Sequence, residues 1–166
     1  FILIAAMNPC PCGYLGDPQR ECTCTDGEIR RYGQKISGPL LDRIDLHVSV
    51  MRPKYSELTA TIQGEPSCDI AKRVAEARAV QAERLSRWHM QSNAQMGHRQ
   101  LKETCQLDAE GTEMLRVVFE KLHLSARSYD RIIKVARTIA DLAGSDQIRP
   151  EHVAEAISFR NMINGK

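Results

Sequence analysis

Several things are missing from this 166-residue sequence, and each absence narrows what the chain can do. There is no G-x-x-x-x-G-K-[ST] loop, so the sequence has no phosphate cradle of its own. No apolar strand ends in Asp-Glu to hold Mg2+, and no H-E-x-x-H marks a zinc hydrolase. No cysteine has a neighbouring histidine that would make it a nucleophile. No apolar run reaches the length of a membrane-spanning helix. Charge is nearly balanced at +2, so the surface as a whole is no trap for polyanions, and any nucleic-acid contact needs a local patch. There is no internal repeat and no low-complexity tract. The apolar opening, residues 1–7, has neither a basic leader nor a small-residue cleavage site and does not read as a signal peptide.

What is present is ordinary for a globular protein: 42% hydrophobic and 27% charged residues, in a chain long enough for one domain or two small ones. Six cysteines depart from that average, and Cys10, Cys12, Cys22 and Cys24 crowd together near the start. With no secretory leader, such clustering points to a reducing cytoplasm and to metal or catalysis rather than disulfides. The chain starts without Met, inside what reads as a buried strand, and is expected to be a piece of something longer.

Phe1–Met7 is a continuous apolar run that fits a strand covered on both faces. A loop-rich stretch over residues 8–38 follows, with room for a short helix near Asp26–Ile36. In "LLDRIDLHVSVMRP", Ile44, Leu46, Val48 and Val50 alternate with polar residues, the period of a strand. Beyond the linker-like residues 61–67 everything reads as helix. The first spans about Cys68–Trp88, with Ile70, Val74, Ala77, Leu85 and Trp88 on one face, and a shorter one lies near Arg99–Cys105. Asp108 caps the next, to about Leu122, with Leu107 placed as its staple. Ser125 caps a helix over Ala126–Ala143. Its apolar stripe (Tyr129, Ile132, Ile133, Ala136, Ile139, Ala140, Ala143) is set against a basic face of Arg127, Arg131, Lys134 and Arg137, and Gly144 ends it. Pro150 opens a last helix with Val153, Ala156 and Ile157 inward. Cys68 and Cys105 read as packing residues in helices.

Four features suggest chemistry. Asn8 ends the first strand, where ligands of open α/β sheets bind; a turn-forming Asn before Pro9 is the plainer reading and outweighs it on position alone. Arg43 has the geometry to grip a phosphate, although pairing with Asp42 or Asp45 explains it more simply. Arg127 stands in the first turn of a capped helix, where free N–H groups favour an anion; the simpler reading is a solvated basic face, and that face is also a candidate for nucleic-acid phosphates. Cys10-x-Cys12 and Cys22-x-Cys24 place four thiols within reach of one tetrahedral Zn2+. Their C-x-C spacing is a weaker signal than C-x2-C, and four loop thiols remain the alternative.

Together, "FILIAAMNPCPCGYLGD", "CTC", "RYGQKISGPLLDRIDLHV", "LSARSYDRIIKVARTIADLAG" and "HVAEAI" resemble the C-terminal half of the magnesium-chelatase-like AAA+ ATPases of bacteria, and most nearly their YifB/ComM group, over almost the whole chain. The resemblance implies a nucleotide-binding α/β domain followed by a helical lid, assembled in homo-oligomeric rings, usually hexamers, with ATP and Mg2+ between neighbouring subunits. By position Asn8 looks like sensor 1, Arg43 like the arginine finger that enters the neighbour's site, and Arg127 like the lid arginine called sensor 2, with Arg131 as fallback. The group carries the "NPCPCG" segment, but no proven metal comes with it.

The fold class expected is therefore mostly α: two strands of an incomplete AAA+ sheet within 1–60, then an all-α helical lid over 61–166. The family's phosphate-binding loop and Mg2+-holding acidic pair fall before residue 1, so this chain should not hydrolyse ATP unaided. Its two strands, lacking the neighbour they share in the family's sheet, should be rearranged, paired directly or paired with another molecule. The parent would remodel a macromolecule, with DNA implied for the ComM-like group and Mg2+ insertion into a porphyrin for true chelatases. No membrane partner is expected. The competing reading is a zinc-stabilised nucleic-acid-binding module without enzymatic activity.

Overall fold

A computed structural model describes residues 2–53, 55 and 64–160. The described residues are mostly helical, 56% of them in helices. Seven α-helices lie among the described residues: α1 Asp26–Gly33, α2 Gly38–Leu41, α3 Ser67–Leu85, α4 His98–Thr104, α5 Ala109–Lys121, α6 Ala126–Leu142 and α7 Pro150–Ser158. Single 3-10 turns, Ser86–Trp88 and Asn93–Gln95, link α3 to α4. The chain divides into two compact units, Phe1–Leu41 with Ser49–Ala60, and Asp42–Val48 with Thr61–Lys166.

The second unit is built around α6. Ile132, Ile133, Ala136 and Ala140 are buried along it, the i, i+4 stripe that its periodicity predicts. This stripe meets Leu85 from α3, Leu101 from α4, and Val153, Ala156 and Ile157 from α7 in one core, which Leu115 of α5 and Met96 complete. Phe119 and Tyr129 join α5 to α6 edge to face, with ring centroids 6.1 Å apart. The helix ends follow local chemistry. Asp108 Oδ1 accepts the Gly111 N–H at 2.7 Å to start α5, and Ser125 Oγ accepts the Ser128 N–H at 3.1 Å to start α6. Gly144, with φ of +65°, closes α6 in the left-handed region that favours glycine, and the Ser145 N–H reaches back to the Ala140 carbonyl.

Beneath the apolar core lies a charged one. Asp141, whose side chain is fully buried, accepts both Nη atoms of Arg84 at 2.8 and 2.7 Å. It also accepts Arg137 Nε at 2.9 Å and Asn93 Nδ2 at 2.8 Å. Arg137 spends its remaining donors on the carbonyls of Asp146 and Ser145. The network ties α3, the 3-10 turn, α6 and the loop after it to one carboxylate. Burial alone would raise the Asp141 pKa, but the hydrogen bonds from Arg84 and Asn93, with the charges of Arg137 and Arg84, outweigh it and hold it low.

Four details differ from the sequence reading. Arg137 leaves the solvated basic face and is almost wholly buried, because Asp141 one turn on supplies its counter-charge. Ile70 and Val74 are exposed, since the bundle covers only the C-terminal half of α3, where Ala77, Gln81 and Leu85 turn inward. Cys68 is exposed, while Cys105 is buried as anticipated. Neither apolar segment, 2–7 or 44–51, belongs to a β-ladder among the described residues; the one bridge found joins Leu107 to Ile148. Strand-like sequence needs a hydrogen-bonded neighbour to become a strand. Ile2, Ile4, Val48 and Val50 stand largely in solvent.

Asp141→Ala should lower the unfolding free energy of the helical unit by about 3–5 kcal/mol, because it strands two arginines in the interior. Urea denaturation checks this, and a loss under about 1 kcal/mol, the scale of a surface pair, would contradict it. Because the folded-state pKa of Asp141 lies below its unfolded value, its contribution is complete above the ordinary carboxylate range and fades as pH falls through the depressed value.

Candidate metal centre and anion-sensing residues

The four clustered cysteines lie in the first unit. Pro9 and Pro11 stiffen the first pair, and the Gly13 N–H returns to the Cys10 carbonyl at 3.0 Å in a tight turn. Gly13 has φ of +84°, and a side chain there would point at the amide of Asn8, 3.8 Å away. Between the pairs, Asp17 caps its own turn through the Gln19 N–H, and the Arg20 guanidinium both stacks on the Tyr14 ring and donates to its hydroxyl at 2.7 Å. Directly after Cys24, Thr25 and Glu28 form a reciprocal capping box that starts α1.

These turns bring all four Sγ atoms within 4.8 Å of one another. Cys10 lies 3.4 Å from Cys12 and 3.7 Å from Cys22, and Cys12 lies 3.5 Å from Cys22, sulfur to sulfur. A tetrahedral ion with metal–sulfur bonds of about 2.3 Å sets its ligands roughly 3.8 Å apart, so the cluster has the dimensions of a four-thiolate zinc site. The Cys12 N–H donates to Cys24 Sγ at 3.4 Å, the kind of outer contact that orients a thiolate ligand. The charge balance also asks for a cation. The backbone N–H of Tyr14 above all, against burial and with help from the Thr23 N–H, brings the Cys12 thiol down to about 5. At Cys24 the Cys12 N–H acts downward, but burial and the sulfurs of Cys12, Cys10 and Cys22 push it up to about 12. Cys12 is thus favoured as a thiolate and Cys24 disfavoured, and a divalent ion held by the four sulfurs would favour the thiolate form of each.

Asn8 is exposed and lies against this knuckle. The other three candidates are in the second unit. Arg43 is exposed, between two aspartates that both turn toward α6. Asp42 Oδ2 accepts the Ser125 hydroxyl at 2.7 Å, and its other oxygen accepts the Ser128 hydroxyl. Asp45 pairs with Arg131. The Ser128 bond first, then Ser125 and the charges of Arg160 and Arg127, hold the Asp42 pKa low against burial.

Arg127 is exposed in the first turn of α6. At this helix start the carboxylate in place is Asp42, on Ser125 and Ser128. The sequence held no signal for that contact, which joins residues 83 and 86 positions apart. The expected basic face is largely spent: Arg131 faces Asp45, Lys134 donates to the Ala94 carbonyl at 3.2 Å, and Arg137 is buried. No helix among the described residues is long and apolar enough to cross a membrane.

Comparison with known proteins finds two adjacent matches, and Arg43 falls in the first of them along the chain. Residues 64–160 match the family model described as magnesium chelatase, subunit ChlI C-terminal, and residues 1–58 match magnesium chelatase, subunit ChlI. Competence protein ComM of Haemophilus influenzae is 39% identical over 165 residues, 98% of this chain and 31% of the relative. The uncharacterized protein YifB of Escherichia coli is 39% identical over 162 residues, again 31% of its length. An uncharacterized protein of Mycobacterium tuberculosis is 38% identical over 160 residues. The chain therefore spans about a third of the length of these relatives, 31%.

Purified from zinc-containing medium, the chain should carry about one Zn2+, lost on replacing any one of Cys10, Cys12, Cys22 or Cys24 by serine and retained in Cys68→Ser. Elemental analysis of the five variants decides it; a metal-free wild type, or metal that survives the four serine variants, would contradict the assignment.

Proposed function

The chain belongs to the magnesium chelatase ChlI family, matching its C-terminal model over more than half its length, and from this premise we propose that it supplies the sensing and lid portion of a ring-forming AAA+ ATPase. Residues 1–60 contribute to the nucleotide-binding α/β domain and 61–166 form the helical lid. The bare apolar segment 2–7 takes its place in a sheet whose remaining strands come from elsewhere in a longer protein. That protein also supplies the phosphate-binding loop and the acidic Mg2+ ligands, which this sequence does not contain. In this reading it works in the cytoplasm as a homo-oligomeric ring, usually a hexamer. The word "competence" in the name of the Haemophilus relative supports DNA as the remodelled substrate.

The observation that carries the reading is the arrangement at the start of α6. Arg127 occupies the first turn of a capped helix, the place where a lid senses phosphate, and Arg43 is held against that same turn by Asp42. Within this function ATP supplies the transferable phosphoryl group, and its Mg2+ neutralises charge on the phosphate oxygens. Arg43 reaches the neighbouring subunit's nucleotide and stabilises charge that develops on the γ-phosphate. Arg127 reads the γ-phosphate for the lid; Arg131, tied to Asp45, is left out of that role. Asn8 offers an uncharged amide that orients the attacking water, and the zinc knuckle beside it fixes its position.

In the full-length protein, Arg43→Ala should cut kcat by about 10^3-fold or more while nucleotide affinity is kept, the scale of a lost arginine finger. Arg127→Ala should erase the preference for ATP over ADP. Turnover and nucleotide titrations measure both; an active Arg43→Ala protein, or unchanged discrimination in Arg127→Ala, would contradict the respective role.

A further inference from the structure

We propose that residues 42–47, Arg43 included, are a rigid extension of the lid, and that Asp42 is the positioning residue that makes the finger follow α6; this rests on the reading of Arg43 as a finger. Four successive anchors carry the inference. Asp42 accepts hydrogen bonds from the hydroxyls of Ser125 and Ser128. The Ile44 carbonyl accepts Arg160 Nη1 at 3.0 Å. Asp45 pairs with Arg131. The His47 N–H donates to the Phe159 carbonyl at 2.9 Å. Every partner lies on α6, at its cap or just past α7, and the compact helical unit includes Asp42–Val48. Arg43 thus sits between two anchored neighbours, and its Cα cannot travel far unless α6 travels too.

The chemistry of the anchors makes this joint stiff. Ser125 Oγ does two jobs at once, accepting the Ser128 N–H as helix cap and donating to Asp42. A shift of the 42–47 segment therefore disturbs the cap. Ser128 and Arg160 are both buried, so neither can turn to water when Asp42 leaves. Arg160 has two further nitrogens, Nε and Nη2, that are buried and without a hydrogen-bond partner among the described residues. The charges of Asp42 and, less, Asp45 offset this guanidinium, and leaving a buried charge without its partner is costly. Arg127, which would sense the nucleotide, stands between Ser125 and Ser128 in the same turn. A change in that turn caused by one nucleotide is therefore delivered, within a single helical turn, to the arginine offered to the next nucleotide. The lid and the finger respond together because they share one clamp.

The test is a double-mutant cycle on the full-length ATPase with Asp42→Ala, Arg43→Ala and both. Asp42→Ala should lower kcat roughly 10- to 100-fold, the cost of a catalytic group misplaced by about 1 Å, with KM for ATP little changed. In the Arg43→Ala background it should cost nothing more, because it acts only through Arg43. Full kcat in Asp42→Ala, or losses that multiply in the double variant, would overturn the proposal. If Arg43→Ala itself turns over normally, the finger reading fails, and that result is legible from the single variant. Hydrogen exchange then still reads the clamp: amides 42–47 should exchange at least about tenfold faster in Asp42→Ala, and unchanged exchange would overturn it. Should Asp42→Ala fail to assemble, Asp42→Asn and Ser128→Ala go through the same measurements.

Discussion

The helical unit depends on a carboxylate that has been taken out of water. Asp141 stands at the end of α6 with no exposure, a position that would cost several kcal/mol were its charge not met. Arg84, Arg137 and Asn93 meet it from three directions, and each brings its own piece of backbone along. Apolar burial gives the bundle most of its stability, but a greasy interface tolerates sliding and rotation. A bidentate arginine pair does not. The Asp141 network therefore fixes the angle at which α3 and the turn at Asn93 lie against α6, and with it the direction in which the opposite end of α6 points.

That opposite end is where the proposed function places its arginines. Two carboxylates sit at the two ends of one helix for opposite reasons. Asp141 is at the C-terminal end, where the dipole disfavours it, and needs arginines. Asp42 is at the N-terminal end, where the dipole and two serine hydroxyls favour it. Asp42 is contributed by a remote segment, so the helix start joins distant parts of the chain as well as offering positive potential. Arg127 and Arg43 both depend on this turn for their position. In the proposed function, Arg127 at the head of a rigid helix would sense nucleotide and the tethered Arg43 beside it would serve the neighbouring subunit. The tether must be stiff for nucleotide state in one site to affect chemistry in the next.

Much of this was legible in the sequence. The caps at Asp108 and Ser125, the stop at Gly144, the start at Pro150 and the apolar stripe of α6 rest on local rules, and the structure follows them. The four-cysteine cluster was legible too, because sequence proximity leaves few ways to keep thiols apart. What could not be read is long-range. Arg137 looks like one more surface cation on a helical wheel until Asp141 is seen buried beneath it with Arg84, 57 residues away. The bonds from Ser125 and Ser128 to Asp42, across 83 and 86 positions, have no local signal either. The segments 2–7 and 44–51 show the reverse case: their alternation and apolarity are right for strands, yet a strand is a property of a pair, and among the described residues no ladder includes either.

The central claim is that one arginine serves a neighbour's nucleotide while clamped to its own lid. The most direct measurement is an experimental structure of the full-length ring with a non-hydrolysable ATP analogue. Arg43 of each subunit should lie within hydrogen-bond distance of the γ-phosphate held by the next, about 3 Å, with Asp42 still on Ser125 and Ser128. A ring in which another residue fills that place, or in which Arg43 reaches the phosphate only after Asp42 has let go of α6, would contradict it.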